Sequence, residues 1–178
     1  RQRLFISTLG TVSHRVNGNH FVITPERKDR LYIEPEELVG VKGSRAEAGK
    51  TPSRYAGLHA SVYAAHPEVN SIFTAAPSAI MGFACSEAEF DSRTIPESYI
   101  NLRYVTKLPF FSAVQNPQAA ANTISARVPA LILANEAVLT VGKTLHAAFD
   151  RLEVLEYSAK SLIWMNDIGP VVAISDAE

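Results

Sequence analysis

Residues 51–74 read TPSRYAGLHASVYAAHPEVNSIFT, and the spacing of their apolar residues decides the fold class. Tyr55, Leu58, His59, Val62 and Tyr63 recur at i, i+3, i+4, i+7 and i+8, which is one face of an α-helix. Thr51-Pro52 has the form of an N-cap followed by proline at the first helical position. His66-Pro67 ends the pattern, and Ser71–Thr74 then reads as a buried strand. Upstream the pattern is one of short strands. Thr11–Val16 and His20–Thr24 flank Asn17-Gly18-Asn19, a hairpin signal. Leu4–Ser7, Leu31–Ile33 and Leu38–Val41 read as further short strands, and Gly43–Lys50 as a polar loop. Downstream, Pro77–Ala84 reads as a short helix and Tyr104–Leu108 as a strand. Asn116-Pro117 opens a helix to about Val128, and Ala130–Ala134 and Ala137–Val141 are apolar strands around Asn135-Glu136. Leu145, Phe149, Leu152, Leu155, Ala159, Leu162 and Ile163 form a last helical stripe, with Thr144 as cap and Gly169-Pro170 beyond it. Strands interleaved with helices predict an α/β domain with helices packed on a mixed sheet.

The chain has 178 residues, enough for one domain with a real core. With 17 basic and 18 acidic residues its formal net charge is −1, which argues against a general nucleic-acid binder. Apolar residues make up 47%, too many for a disordered chain. A single cysteine, Cys85, excludes an internal disulfide and a multi-cysteine metal cage. No apolar run approaches the roughly 20 residues that span a bilayer. The chain opens at Arg1 without a signal-peptide pattern. The expectation is a single domain over residues 1–178, in form a fragment or one half of a longer chain, with the cytoplasm as its default location.

Residue types alone point to little chemistry. The sequence has no GxGxxG, Walker A, HExxH or GxSxG pattern, and none of its five histidines sits two, three or four residues from another, so a zinc site would have to assemble from distant histidines. His59, on the apolar helix face, reads as a core histidine bonded to backbone; His146 reads as solvent-facing. Ser53 and Arg54 lie at the expected helix start, where free N–H groups and the helix dipole attract anions; the alternative is a plain capped helix with a solvated Arg54. Glu136, between two apolar strands, is at an exposed strand end, paired with a cation, or functional. Glu153 and Glu156 read as surface ion pairs, and Glu26–Arg30 as a solvated mixed-charge turn.

Five stretches in order resemble the class II aldolase/adducin head family. Gly10-Thr11-Val12-Ser13-His14-Arg15 is similar to its G-N-V-S-x-R strand, and Phe21-Val22-Ile23-Thr24-Pro25 to its I-T-P turn. Pro52-Ser53 with His59, Tyr63, Pro67 and Asn70 resembles P-S-S-E-x-x-x-H-x-x-x-Y…P…N. Ser71–Ala84 occupies the place of the segment that carries H-x-H, and Ala134-Asn135-Glu136-Ala137…Gly142…Ala148…Glu153 resembles N-H-G…G…A…E. The resemblance implies a three-layer α/β/α fold with a mixed, largely antiparallel central sheet.

It also implies a divalent metal, usually zinc, held by three histidines, and a glutamate acid/base, used in aldolase, epimerase or dehydratase chemistry on sugar phosphates. Residue by residue, those roles fall on other side chains here. The metal positions are Thr74, Ala76 and Glu136, and the acid/base position is Tyr55. The expectation is therefore no metal and no cofactor. The family's phosphate-binding places read Thr11, Glu26-Arg27, Ser53 and Arg54, of which Thr11, Ser53 and Arg54 can bind an anion and Glu26 opposes one. The resemblance favours a non-catalytic domain that assembles as a homo-oligomer, a tetramer in the family, or binds a sugar phosphate or another anion. One alternative is a lyase or aldolase whose catalysis has moved to Tyr55 and Glu136, with His59 and Arg54, or to a partner domain. Another is an α/β interaction module of unrelated origin, which requires Thr74 and Ala76 to lie far from Glu136 and Tyr55. Phe110-Phe111 suits either an interface or the core.

Overall fold

The computed structural model describes residues 4–175. Eight strands form one sheet: β1 (Thr11–Asn17), β2 (His20–Ile23), β3 (Val39–Lys42), β4 (Arg45–Ala46), β5 (Ser71–Ala75), β6 (Val105–Leu108), β7 (Ala130–Leu133) and β8 (Ala137–Gly142). Six helices accompany them: α1 (Ala56–Ala65), α2 (Ser78–Ala84), α3 (Pro96–Leu102), α4 (Ser112–Gln115), α5 (Pro117–Thr123) and α6 (Leu145–Ile168). The strand order is β4-β3-β2-β1-β5-β8-β7-β6, and every pairing is antiparallel except β6 with β7.

The sheet separates two apolar cores, because successive strand side chains point to opposite faces. On β5 and β8, Ile72, Leu139 and Val141 face α1 and α5, whereas Phe73, Ala75 and Val138 face α2 and α6. The central strands are buried on both sides, which explains why they read as continuous apolar runs. The expected three-layer arrangement with a largely antiparallel sheet is the one found. No described helix is long and apolar enough to cross a membrane.

Helix caps follow the sequence signal where the cap is local. Asn116 accepts from the Ala119 amide and Thr144 from the Ala147 amide. The Thr51 cap is a correction: α1 begins at Ala56, with Tyr55 in the N-cap position. Pro52 instead bridges to Pro25, and the neighbouring backbone is occupied by Glu26 N–H to Thr51 O and Ser53 N–H to Thr24 O. Two expected strands are absent. Leu4–Ser7 turns at Ser7 (φ 50°), with Leu4 packed in the α6-side core. Leu31–Ile33 is a turn organised by Asp29, which accepts from the Leu31 amide, and Leu31 and Tyr32 are exposed. The polar loop 43–50 contains β4, α5 stops at Thr123, and α3 and α4 add two helices that the apolar pattern does not announce.

Two long-range contacts fix α6. A Cβ on Gly142 would lie 2.4 Å from the Ala148 nitrogen, so β8 and α6 meet at a distance only glycine permits. Glu156 pairs with Lys160 at 3.3 Å, but it is buried rather than on the surface: its carboxylate also accepts from the Ala79 and Ile80 amides at 3.0–3.2 Å and so caps α2.

Candidate functional site

A cleft of about 220 Å³ opens where the start of β1, the end of β5, the β7–β8 turn and residues 53–55 converge. It brings together Thr11, Ser53, Arg54, Tyr55, Thr74, Ala76 and Glu136, residues drawn from segments up to 125 positions apart. The separation that an unrelated interaction module required is not found.

Its floor is built from cross-strand neighbours. Thr11 and Thr74 are register partners on β1 and β5. Gly10 precedes them at φ +96°, and a Cβ there would lie 2.3 Å from the Phe5 ring. Thr11 Oγ1 and Ser53 Oγ share a 2.5 Å hydrogen bond, and Ser53 Oγ also accepts from the Tyr55 amide at 3.4 Å. Each hydroxyl has one proton. Whichever of the pair donates to the other, one proton is left for the cleft.

Glu136 forms the opposite wall. Its side chain is only 4% exposed although it sits in a turn, after Asn135 at φ 58°. Glu136 Oε1 accepts from the Phe111 amide at 2.7 Å, an amide aimed by the left-handed conformation of Phe111 (φ 62°). Glu136 Oε2 lies 3.5 Å from the Tyr55 hydroxyl and 3.8 Å from Arg54 Nη2. The Arg54 guanidinium stacks over the Tyr55 ring and donates to its hydroxyl at 2.7 Å. Burial pushes the Tyr55 hydroxyl above its ordinary pKa, with Arg54 partly opposing. Of the three readings for Glu136, the structure shows a carboxylate flanked by a cation.

Arg30 also lines the cleft. It is not part of a solvated turn, because it donates to the Gly10, Pro25 and Lys28 carbonyls at 2.7–2.9 Å and so ties the 25–30 segment to the entry of β1. Burial lowers its pKa. Its role carries no sequence signal, since its partners are backbone carbonyls. The Phe111 amide is equally silent, because a positive φ at phenylalanine has no local signature.

His59 is fully buried, but its partners are side chains rather than backbone. Nδ1 lies 2.8 Å from Ser13 Oγ and Nε2 lies 2.8 Å from Thr74 Oγ1. Burial pushes its pKa down to about 3, so the ring is neutral. His146 is exposed and pairs with Asp150.

The donor set at the three positions assigned to metal ligands does not fit zinc. Thr74 Oγ1 is a neutral hydroxyl held by His59, Ala76 has no donor atom, and Glu136 supplies one carboxylate already engaged by an amide. A zinc centre needs at least three protein donors. Among the described residues, no three His, Cys, Asp or Glu side chains are grouped to hold a metal ion.

Residues 1–163 match the family described as Class II Aldolase and Adducin N-terminal domain. An L-fuculose phosphate aldolase of Methanococcus maripaludis is 26% identical over 169 residues, covering 94% of this chain and 91% of that protein. Among solved structures, YgbL of Escherichia coli superposes with a TM-score of 0.87 at 18% identity, over 98% of this chain and 86% of that one. The L-fuculose-1-phosphate aldolase of Thermus thermophilus superposes with a TM-score of 0.82 at 21% identity, over 96% and 91%. The family match covers nearly the whole chain, and the superpositions agree with it in fold: this chain belongs to the class II aldolase and adducin N-terminal domain family.

Proposed function

We propose that this chain is a class II aldolase-like domain without the family's metal centre and acid/base glutamate, and that its cleft binds a small phosphorylated sugar or a related anion without turning it over. The observation that carries this reading is the donor set of the cleft. Where the resemblance places metal ligands there are Thr74, Ala76 and Glu136, whereas the anion-binding positions keep the Thr11–Ser53 hydroxyl pair beside Arg54. The cleft is also bipolar. Its hydroxyl floor and Arg54 suit an oxyanion, and the Glu136 carboxylate suits a sugar hydroxyl, which a phosphorylated polyol supplies in one molecule. The curated relative is called an L-fuculose phosphate aldolase, which makes L-fuculose 1-phosphate the first ligand to try. The domain is further read as a single unit, cytoplasmic, and assembled as a homo-oligomer.

Calorimetric titration with L-fuculose 1-phosphate and with inorganic phosphate tests this, alongside elemental analysis of protein purified without chelators. Binding that weakens about tenfold in Arg54→Ala, with metal far below one equivalent and no aldol cleavage, is the expected result. Stoichiometric zinc bound by the chain overturns the reading.

The convergence of Tyr55, Arg54 and Glu136 favours a second reading, an enolisation or lyase step with Glu136 as base and Arg54 as electrostatic clamp. Turnover of a sugar phosphate that is abolished in Glu136→Gln would establish it in place of the first.

A further inference from the structure

Four buried polar groups run in line from the C-terminal half of α1 to the cleft floor. Tyr63 Oη lies 2.7 Å from Ser13 Oγ, Ser13 Oγ lies 2.8 Å from His59 Nδ1, and His59 Nε2 lies 2.8 Å from Thr74 Oγ1. All four residues are at most 3% exposed. A neutral imidazole has one N–H and one acceptor nitrogen, so two polarities run unbroken from end to end, and the remaining arrangement, with Ser13 accepting from both Tyr63 and His59, strands the buried Ser13 proton. In one, protons point from Tyr63 toward Thr74. In the other, they point from Thr74 toward Tyr63.

The two ends decide between them. With protons pointing toward Tyr63, the last donor is the Tyr63 hydroxyl, and its remaining acceptor is the Asn70 carbonyl at 3.5 Å, beyond good hydrogen-bond length. Pointing the other way, Tyr63 donates at 2.7 Å, Ser13 donates to Nδ1, Nε2–H donates to Thr74, and the last donor is the Thr74 hydroxyl. Thr74 has no side-chain hydrogen-bond partner other than His59 among the described residues, and it borders the cleft. Both ends are buried, but the Thr74 end lines the cleft and can give its proton to a bound oxyanion, whereas the Tyr63 end meets only a carbonyl at 3.5 Å. The phenol keeps its proton, because burial raises the Tyr63 pKa.

We infer that Tyr63, Ser13 and His59 form a one-way hydrogen-bond relay that fixes Thr74 as a donor to the cleft, so that the floor presents two hydroxyl protons, one from Thr74 and one from the Thr11–Ser53 pair, to an oxygen that can only accept. The position where the family resemblance places a metal ligand thereby becomes part of the anion site, and its selectivity is for a deprotonated oxyanion. This extends the anion-binding reading above. His59, Ser13 and Tyr63 are positioning residues, since none touches the ligand.

The test has two independent arms on the full chain. Long-range proton–nitrogen correlation of ¹⁵N-labelled protein at neutral pH reads the His59 tautomer without any ligand. A protonated Nε2 and a bare Nδ1 are expected, and Tyr63→Phe is expected to keep that tautomer, because the Ser13 hydroxyl then has only Nδ1 to donate to. A protonated Nδ1, in the unsubstituted protein or in Tyr63→Phe, overturns the relay. The second arm titrates inorganic phosphate. Thr74→Val is expected to weaken binding about tenfold and Thr74→Ser to restore it. Equal affinity in all three proteins overturns the role of Thr74. If the unsubstituted chain binds neither phosphate nor L-fuculose 1-phosphate while Nε2 carries the proton, the relay stands and the proposed ligand class falls. If it binds them while Nδ1 carries the proton, the ligand class stands and the relay falls.

Discussion

At the residue scale, His59 couples packing to pH. It is neutral in the fold, pushed down to about 3 by burial, against an ordinary value of 6.5. Above pH 6.5 both folded and unfolded chains hold it neutral. As pH falls below 6.5 the unfolded chain takes up a proton that the folded chain refuses, so stability declines by up to about 1.4 kcal/mol per pH unit until the folded pKa is reached. The lowered carboxylates Glu37, Glu47 and Asp91 lose their contributions only at lower pH, starting near their ordinary values of 4.5 and 3.8. Urea unfolding between pH 6.5 and 5 is therefore expected to show a decline that flattens in His59→Gln. Glu136 gives a second residue-scale expectation. Glu136→Ala strands the Phe111 amide and leaves Arg54 without its carboxylate, and is expected to cost about 1–3 kcal/mol in the same assay. An unchanged unfolding midpoint would show that the 2.7 Å contact does not hold the turn.

At the element scale, the β8–α6 contact is the tightest joint. Gly142→Ala places a methyl group 2.4 Å from the Ala148 nitrogen, so strand and helix have to separate. A loss of about 1–3 kcal/mol is expected, read from the urea midpoint, whereas Gly57→Ala on α1 meets open space and is expected to be neutral or slightly stabilising. This scale also shows how much the amino-acid pattern alone discloses. The hairpin β1–β2, the central strands β5, β7 and β8, and the capped helices α5 and α6 carry local signals, and all are legible. The start of α1 is not, because Pro52 and Ser53 are claimed by strand-like pairing with residues 24–26, a partner distant in sequence. The burial of Glu156 is hidden for the same reason: its partners are backbone amides of α2, 76 and 77 positions away. The grouping of Thr11, Ser53, Tyr55, Thr74 and Glu136 is legible only through the family resemblance, since no spacing rule joins β1, β5 and the β7–β8 turn.

At the scale of the whole molecule, several large apolar side chains remain uncovered, among them Phe110, Tyr157, Trp164 and Ile168. Their exposure supports self-association. Equilibrium sedimentation at micromolar concentration is expected to give a homo-oligomer, with Phe110→Glu or Trp164→Glu lowering the mass if those faces form the contact. A monomer at that concentration counts against assembly. The ends of the sheet limit how such an assembly is built. One margin is β4, two residues long, and the other is β6, four residues long and followed by Pro109. Lys107 on β6 donates to the Phe83 and Ser86 carbonyls, which pins that margin to the end of α2. Neither margin offers the long, flat row of unpaired amides and carbonyls that templates another chain. Any assembly of this protein is therefore expected to form through side-chain surfaces, and concentrated stocks should resist conversion to cross-β fibrils, a behaviour thioflavin fluorescence would report as a flat baseline.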